Sequence, residues 1–468
     1  MKKIITYSLA LCMIALLLQS CDTLGVDEIE DPNNPTVDAL LNGASETQLQ
    51  NIATGLEFRH RTYISTNSGV PALYGVFGRE LYAIYNSDPN FWTRWVQTTE
   101  PLAENDPTFF VGIFNPYTAP YNAVAQGNLM LEALENTDAV SGTEKNGYRG
   151  FANTIKGFQY LIPLSMQYRD TGDRDPAGSI RIDVENFIEP GPFVSYDEAL
   201  NRIRSVLDTG YDQLNNAGNS LNFSESLSSG FEGFTSPQGM AQLNRAIAAR
   251  AAIYAEDWQG ALNALDDSFM DLSPGETSMN LGGYHVYQGP PDIFNPLFWT
   301  PNQNTTQIIM VAPGVIDDAL PNDGRTSKFF ERDEPVFFGG QSNFPFTHQF
   351  QRYSSNTDPI PFIRNEELIL IYAEANAQLN NSTQAVNAID IIRNTWGVEP
   401  YTGPTDTDSL IDEILFQRRY SLFGEGHRWI DMRRYDRLDE IDTGLDGGRV
   451  PTHISRPLAE INFEDFFN

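Results

Sequence analysis

Apolar side chains recur every three or four residues over several long stretches of the chain, which is the spacing of amphipathic α-helices. The stretch 120–136 shows this pattern, and the stretch 144–169 shows it again over a longer run. A third helix is predicted to begin at Ser195, because a serine followed three residues later by Glu198 has the form of a capping box. The hydrophobic pattern therefore predicts a mostly α-helical chain.

Two later stretches each predict a pair of helices joined by a short turn. The first runs from Pro237 to a turn at Glu256-Asp257 and continues through Trp258 and Leu265. The second turns at Asn380-Asn381 and ends at Gly397, a residue type that commonly ends helices. Alanines stand where the paired helices approach, as in tetratricopeptide repeats of about 34 residues. Generic antiparallel hairpins share this periodicity, so the spacing does not separate the two.

The helical pattern is interrupted by long insertions, so a regular solenoid is not expected. Residues 271–361 are rich in Gly, Pro and Asn, and we expect a few short strands there. Within them, the stretch 281–304 combines many aromatic and amide side chains with a single formal charge, Asp292. Aromatic rings can stack on the apolar faces of sugars, and amides can bind hydroxyl groups. We therefore expect this insertion to bind a ligand.

An earlier segment, 86–96, has a similar composition. The candidate ligand-binding residues are Asn90, Trp92, Arg94 and Trp95 in the first loop, and Tyr284, Tyr287, Phe298 and Trp299 in the second. The alternative interpretation is that these rings only pack the loops against the helical scaffold.

The composition excludes some partners. The formal net charge is −32, so phosphate backbones would be repelled and nucleic-acid binding is not expected. Aromatic residues make up 12% of the chain, which is typical of a globular protein rather than a disordered one.

The N-terminus has the form of a lipoprotein signal. Lys2 and Lys3 precede an apolar run of about 15 residues, which is shorter than the roughly 20 needed to span a membrane. The run ends in Leu-Gln-Ser-Cys, which resembles a bacterial lipobox with Cys21 as the acylated residue. We predict a signal peptide over 1–20 and an acidic, lipid-anchored tether over 21–35. An ordinary signal cut nearby, which would leave Cys21 free, is the alternative.

No catalytic motif stands out. The sequence has no Gly-x-Ser-x-Gly, no His-x-x-x-His pair and no calcium-loop pattern, so we expect no catalytic residue, metal or cofactor. A helical glycoside hydrolase remains an alternative, because 62 acidic residues could contain a catalytic pair. A purely structural or adhesive surface protein is a third possibility.

Two motifs near the C-terminus carry a family resemblance. Arg364 and Glu367 lead into Leu-Ile-Tyr-Ala-Glu-Ala, and a later stretch, 425–434, reads Glu-Gly-His-Arg-Trp-Ile-Asp-Met-Arg-Arg. Together they resemble the SusD/RagB family of outer-membrane nutrient-binding lipoproteins. The sequence departs from the family pattern at Gln417 and Ser421, where glutamates are usual. Gly424 stands in place of a usual aromatic residue.

The motif also contains charged residues that we interpret as scaffold. Glu425, Arg428 and Asp431 lie three residues apart, so we expect them to pair with one another along a helix end.

The resemblance implies a fold and a function. The fold would be mostly α, with tetratricopeptide-like hairpins in an N-terminal region (36–270) and a C-terminal region (362–468) flanking the ligand-binding insertion. The protein would lie on the exterior of the outer membrane, capture an oligosaccharide and deliver it to a SusC-like TonB-dependent barrel transporter. A peptide ligand is the alternative. Anionic glycans are less expected in so acidic a chain, although Arg94, Arg325 and Lys328 could bind one locally.

Overall fold

The fold was analysed in a computed structural model of the chain. It describes residues 37–64, 69–85, 104, 117–167, 179–182, 191–303, 307–337, 344–460 and 462. The predicted signal peptide, Cys21 and the acidic tether lie outside the described residues. The first aromatic loop, with Asn90, Trp92, Arg94 and Trp95, lies outside them too. Within the described ranges, no helix is both long and apolar enough to cross a membrane.

Helices dominate the described chain. They are α1 (Val37–Leu41), α2 (Glu46–His60), α3 (Gly69–Phe77), α4 (Thr118–Ala133), α5 (Gly142–Met166), α6 (Tyr196–Asn215), α7 (Pro237–Tyr254), α8 (Trp258–Asp266), α9 (Glu276–Met279), α10 (Pro313–Asp317), α11 (Asn365–Gln378), α12 (Ser382–Thr395), α13 (Thr407–Ser421) and α14 (Arg428–Arg434). Short 3₁₀ turns lie at Thr62–Ile64, Ser224–Ser226, Ser229–Phe231, Gly324–Lys328 and Leu438–Glu440.

The predicted helices are present, with ends that differ by a few residues. The stretch 120–136 corresponds to α4 and the stretch 144–169 to α5. Ser195 is the N-cap of α6, and its hydroxyl accepts a hydrogen bond from the Glu198 backbone N–H at 3.2 Å. This bond satisfies a backbone donor that has no partner within the helix, which is why the helix starts there.

Both predicted helical hairpins are also present. Helices α7 and α8 are joined at Glu256, which has φ of 57°, and Asp257 caps α8 through the Gly260 N–H. Helices α11 and α12 are joined at Asn380, with φ of 61°, and Gly397 follows α12 with φ of 75°. Asn and Gly tolerate this left-handed conformation better than most residues, which accounts for Asn380 and Gly397 but not for Glu256. Both turns lie where the sequence predicts them.

Neighbouring helices pack side by side, and glycines allow the closest approach. Helix α5 lies between α4 and α6, and α6 also packs on α7. A Cβ atom at Gly150 in α5 would lie 2.5 Å from Cγ of Leu214 in α6, so only glycine fits this contact. The main hydrophobic core runs through these helices and the sheet, while a second core joins α9, α11, α12 and α13.

The strands are short and lie mainly in the insertion, as expected. They are β1 (Leu81–Tyr85), β2 (Ile180–Arg181), β3 (Phe193–Val194), β4 (Gly282–His285), β5 (Gln307–Val311), β6 (Phe329–Phe337), β7 (Pro345–Phe350) and β8 (Ile360–Arg364). One antiparallel sheet has the order β1-β5-β7-β6, and β2–β3 and β4–β8 form separate pairs. The described fold is therefore mostly α with a few short strands, and the predicted fold class is confirmed.

Candidate ligand-binding groove

The neutral aromatic stretch begins on strand β4, which is fixed by its pairing with β8. Tyr284 lies opposite Pro361, and the register shifts between Gly283 and Tyr284. A Cβ atom at Gly283 would lie 2.3 Å from the Phe362 ring, so glycine is needed where β4 crosses this ring. The pairing leaves the Tyr284 side chain partly exposed, while His285 next to it is buried.

The loop after β4 is tied to the end of helix α2 by an ion pair. The Arg61 guanidinium donates to both carboxylate oxygens of Asp292, with Nη1 3.0 Å from Oδ2, and it also donates to the Val286 carbonyl. Burial alone would raise the pKa of the Asp292 carboxyl, but hydrogen bonds from Arg61 and from backbone amides outweigh burial and lower it. Bidentate arginine–carboxylate pairs of this kind are strong and directional.

Aromatic rings flank the same guanidinium. Its carbon lies 5.1 Å from the centre of the Phe58 ring and 5.3 Å from the centre of the Tyr287 ring, within the range of cation–π attraction. Tyr287 is only 1% exposed, so its ring packs against Arg61 instead of facing solvent. The expectation that Tyr287 stacks on a ligand does not fit this placement, because neighbouring protein groups already cover the ring. Phe58, by contrast, is 52% exposed.

These elements enclose an open groove of about 220 Å³. Its lining residues come from α2, the segment 226–228 and the β4 loop: Thr54, Glu57, Phe58, Arg61, Ser226, Leu227, Ser228, Tyr284, His285, Val286, Gln288 and Asp292. The lining combines aromatic rings with hydroxyl, amide and carboxylate groups. This mixture of apolar surface and a few convergent polar groups is typical of small-ligand sites.

Glu57 is the second carboxylate of the groove. It accepts hydrogen bonds from the backbone N–H of Ser228 at 3.0 Å and from the Ser228 hydroxyl. Burial raises the pKa of the Glu57 carboxyl, and the bonds from Ser228 and the charge of Arg61 offset only part of this effect. Glu57 therefore fixes the segment 226–228 against α2 and shapes one wall of the groove.

Behind the groove lies a buried layer of aromatic and histidine rings. The Tyr63 hydroxyl lies 3.0 Å from Nε2 of His285, and the His60 and His285 rings meet edge to face at 4.7 Å between centres. Phe362 packs against both histidines. Burial lowers the pKa of His60 to about 3 and that of His285 well below its usual range, so both rings are neutral at pH 7.

Asn295 anchors the far end of the loop. Its side-chain amide donates to the Asp358 carbonyl at 2.7 Å, and its backbone N–H donates to the Asn356 carbonyl at 2.8 Å. Its side-chain oxygen accepts from the Leu297 N–H at 2.8 Å. Asn295 is buried, so these bonds are shielded from water and hold the aromatic loop against segment 353–358.

Phe298 and Trp299 lie beyond this anchor, beside the four-stranded sheet. Both are half-buried against the main core. The Gln349 side chain on β7 donates to the carbonyls of Trp299 and Thr300, at 3.3 and 3.2 Å. The groove lining named above includes Tyr284 but not Phe298 or Trp299, so the structure does not bring all the predicted residues of the second loop into one site.

The sheet places the end of β1 next to the start of β5. Tyr85, the last residue of β1, pairs with Gln307, the first residue of β5. Tyr85 directly precedes the first predicted loop in sequence, and Gln307 follows the second. The loop 86–96 itself lies outside the described residues.

Two predicted cationic contacts are wrong. Arg325 is 1% exposed, and its guanidinium is bound by the Asp323 carboxylate at 2.7 Å. The Lys328 ammonium donates to the carbonyls of Tyr420 and Ser421, both at 2.6 Å. Both cations are engaged with protein groups, so neither is available to bind an anionic ligand.

Glu425 and Asp431 of the C-terminal motif pair with arginines outside the motif and not with Arg428, although Asp431 also binds Arg434 within the motif at 3.0 Å. Glu425 binds Arg364 at 2.7 Å and Arg352 at 2.9 Å, and Asp431 binds Arg418 at 2.6 Å. Burial would raise the pKa of Glu425, but the two arginines lower it to about 2. The predicted pairing along the helix end is therefore wrong, although these side chains do tie elements of the scaffold together.

Sequence reasoning also missed part of the groove. Phe58, Arg61 and Gln288 line it, but α2 was not among the predicted helices. Ser45 and Gln48 form a full capping box at the start of α2, and this pattern is visible in the sequence. It would have indicated the helix but not that its end meets Asp292.

The described fold is a helical scaffold with an open groove beside an aromatic loop, and comparisons with known proteins find the same fold class. Residues 333–456 match the sequence model of the SusD family. The SusD-like protein P38 of Formosa agariphila is 31% identical over 96 residues. That match spans 19% of this chain and 19% of the relative, well under two thirds of the length of either.

Solved structures share the fold at low identity. A surface glycan-binding protein A from Bacteroides thetaiotaomicron has a TM-score of 0.67 at 13% identity, covering 92% of this chain and 99% of that one. The corresponding protein from Bacteroides uniformis has a TM-score of 0.65 at 14% identity, covering 89% and 98%. A SusD-like carbohydrate-binding protein from Bacteroides vulgatus has a TM-score of 0.59 at 18% identity, covering 84% of each chain.

The resemblance read from the C-terminal motifs is confirmed by these findings. The C-terminal region, residues 333–456, matches the sequence of the SusD family, and the described residues share the fold of SusD-like proteins.

Proposed function

We propose that this protein is a cell-surface lipoprotein that captures an oligosaccharide and delivers it to a SusC-like TonB-dependent barrel transporter. The observation that supports binding most directly is the groove, in which the partly exposed ring of Tyr284 and the exposed ring of Phe58 stand beside hydroxyl and amide groups. Solved structures with this fold include proteins described as glycan-binding and carbohydrate-binding. The lipid would be attached at Cys21, and the body would lie outside the outer membrane.

The ligand site would extend from the groove to the end of the sheet. Tyr284 would stack on one sugar ring, and Phe298 and Trp299 would border the ligand further along the same loop. Asn90, Trp92, Arg94 and Trp95 would complete the site, because their segment follows β1 in sequence and the end of β1 lies beside the start of β5. Tyr287 would contribute indirectly, because its buried ring packs against Arg61 and helps to hold it in the groove wall. Binding without catalysis is proposed, since the groove's role rests on stacking and hydrogen bonding.

The test uses a soluble form that begins at Asp22. It is titrated with neutral oligosaccharides, acidic oligosaccharides and short peptides while intrinsic tryptophan fluorescence and calorimetric heat are followed. Saturable binding of an oligosaccharide is expected. Tyr284→Ala and Trp299→Ala should each weaken it about tenfold or more, as expected when a stacking ring is lost.

Tyr401→Ala is the matched control, because Tyr401 lies between α12 and α13, outside the groove lining. It should leave the affinity unchanged. Binding of peptides but of no oligosaccharide would replace the proposed ligand class. If no ligand changes the fluorescence or gives binding heat, the proposal is contradicted for the isolated protein. Delivery would then be tested separately, by co-purification of the protein with a barrel transporter from membranes.

A further inference from the structure

The groove contains one cation, Arg61, among its described lining residues, and this cation is already engaged by the protein. Asp292 occupies the edge of the guanidinium formed by Nη1 and Nη2, one of the two edges that a ligand carboxylate or sulfate would use. The Val286 carbonyl accepts a further bond from Nη1. The side chains of Arg61 and Asp292 are 12% and 24% exposed, so water screens this pair only partly.

An anionic ligand that binds Nη1 and Nη2 of Arg61 would have to displace Asp292, and one that binds the other edge of the guanidinium would lie close to the Asp292 carboxylate. The displaced carboxylate would then lie near the ligand's own charge, and Glu57 in the same lining adds a second acidic group. Like charges brought together in a partly desolvated site repel each other, which is a common way for proteins to exclude a competing ligand. Two carboxylates against one guanidinium make the groove unfavourable for uronates and sulfated sugars.

The other polar groups of the lining that can meet a ligand are uncharged. Gln288 is exposed and offers an amide donor and acceptor. The Thr54 and Ser226 hydroxyls donate to the carbonyls of Gln50 and Phe223, so they offer a ligand only acceptor lone pairs. The rings of Phe58 and Tyr284 offer apolar faces. A neutral sugar presents the same combination of hydroxyl groups and apolar ring faces.

We infer that Asp292 is a specificity-determining residue: by holding Arg61, it makes the groove select uncharged, hydroxyl-rich sugar units and reject units that carry a carboxylate. This inference rests on the proposed function, since it concerns the ligand class of the same groove.

The test compares the unmodified protein with Asp292→Asn. The amide keeps the size of the side chain and one acceptor for the Gln288 N–H, which lies 3.2 Å from Oδ2, but it removes the charge. The probes are neutral xylo-, manno-, malto- and cello-oligosaccharides and oligogalacturonate of equal length, with affinity measured by calorimetry at low and physiological salt. The unmodified protein should bind a neutral probe at least about tenfold more tightly than oligogalacturonate.

In Asp292→Asn the affinity for oligogalacturonate should rise about tenfold, most clearly at low salt. The double variant Arg61→Gln with Asp292→Asn should lose this gain, because the freed guanidinium is its source. Asp412→Asn removes a carboxylate from another ion pair, with Arg437 at 2.6 Å, and should change nothing. If Asp292→Asn does not fold, as judged by circular dichroism, Asp292→Ser is used in the same comparison.

Several results would overturn the inference. Equal or tighter binding of oligogalacturonate by the unmodified protein would show that Asp292 does not exclude anions. An unchanged affinity in a folded Asp292 variant would show that Arg61 is not the group being masked. Either outcome, with neutral sugars still bound, leaves the proposed function standing. Failure of every sugar to bind both proteins would instead overturn the proposed function, and the inference with it.

Discussion

Glu80 is a carboxyl group buried between β1 and the C-terminal helices. It is 1% exposed, and its Oε2 has no hydrogen-bond partner among the described residues. Burial raises its pKa to about 8, although Arg428 and Arg419 act in the opposite direction. A folded-state pKa above the ordinary value of 4.5 means that the folded protein holds a proton that the unfolded chain releases. This contribution to stability is present below pH 4.5 and is lost as the pH rises through 8.

Glu80→Gln is therefore expected to stabilise the protein at high pH. The amide mimics the protonated acid and cannot ionise, so at pH 8.5 the free energy of unfolding should rise by about 1–3 kcal/mol, with a smaller change at pH 5. Urea unfolding of both proteins across this pH range measures the effect. Glu334→Gln, at an exposed position on β6, is the control and should give curves parallel to those of the unmodified protein. A constant difference at all pH values for Glu80→Gln would contradict the assignment.

The buried histidines have the opposite effect on the pH dependence of stability: they destabilise the fold as the pH falls. Burial lowers the pKa of His60 to about 3, and it lowers the pKa of His285 and His427 as well. The unfolded chain takes up protons near pH 6.5 while the folded chain does not, so stability falls as the pH drops below 6.5. Below pH 6.5 three histidines outweigh one carboxyl, and above it the loss of the Glu80 contribution continues, so the contribution of these groups to stability should be greatest near pH 6.5.

His60→Asn is expected to reduce the loss of stability that occurs as the pH falls below 6.5. The asparagine oxygen can accept the bond that Nδ1 receives from Gln159 at 2.7 Å, but it cannot take up a proton. The smaller side chain leaves a cavity, so the variant should be less stable at pH 7 by about 2–3 kcal/mol. Between pH 7 and pH 5 it should lose about 1–2 kcal/mol less than the unmodified protein. Thermal unfolding at both pH values measures the difference, and equal losses would exclude His60 as the titrating group.

At the scale of elements, the contact between α5 and α6 depends on glycine. A Cβ atom at Gly150 would approach Cγ of Leu214 to 2.5 Å and the Gly210 carbonyl oxygen to 3.0 Å. Gly150→Ala raises helix propensity by about 1 kcal/mol, but it should force the helices apart and destabilise the fold by about 1–3 kcal/mol overall.

Gly142→Ala is the matched control on the same helix. Gly142 is the first residue of α5, and a Cβ atom there would meet no atom within 4 Å. This substitution should be neutral or slightly stabilising in chemical unfolding. If both variants changed the free energy of unfolding by the same amount, intrinsic helix propensity rather than helix packing would govern stability at these positions.

The elements also show which features of the fold can be predicted from local sequence patterns and which cannot. The hairpins α7–α8 and α11–α12 were predictable because caps and turns depend on residues a few positions apart, such as Asp257 with Gly260. The insertion was recognisable as irregular, but the order β1-β5-β7-β6 joins strands from distant parts of the chain. No local periodicity encodes that order.

At the scale of the whole molecule, the proposed anchor gives a direct prediction. Cys21→Ser should remove the acylation site, and the protein should move from the membrane fraction to the soluble fraction, because an acyl chain supplies about 0.8 kcal/mol of membrane affinity per buried methylene. Cys12→Ser is the matched control, since Cys12 lies within the segment proposed to be removed. Fractionation with immunoblotting measures both. Retention of Cys21→Ser in the membrane fraction would contradict a lipid anchor at this residue.

The net charge of −32 also belongs to the whole molecule. It disfavours polyanions at long range, but binding is decided by the charges that face the ligand. In the groove these are Arg61, Asp292 and Glu57, whose arrangement could not be read from the total charge.

The sequence alone determined the helical class, the two hairpins, the family motifs and the neutral aromatic stretch, because periodicity, capping and composition act over short distances along the chain. Tertiary structure decided which aromatic rings face solvent: Tyr284 lines the groove, while Tyr287 is buried under Arg61. Arg61 and Asp292 are 231 residues apart, and only the packing of α2 against the β4 loop brings them together. The same long-range packing buries Arg325, since burial depends on every element that surrounds a side chain.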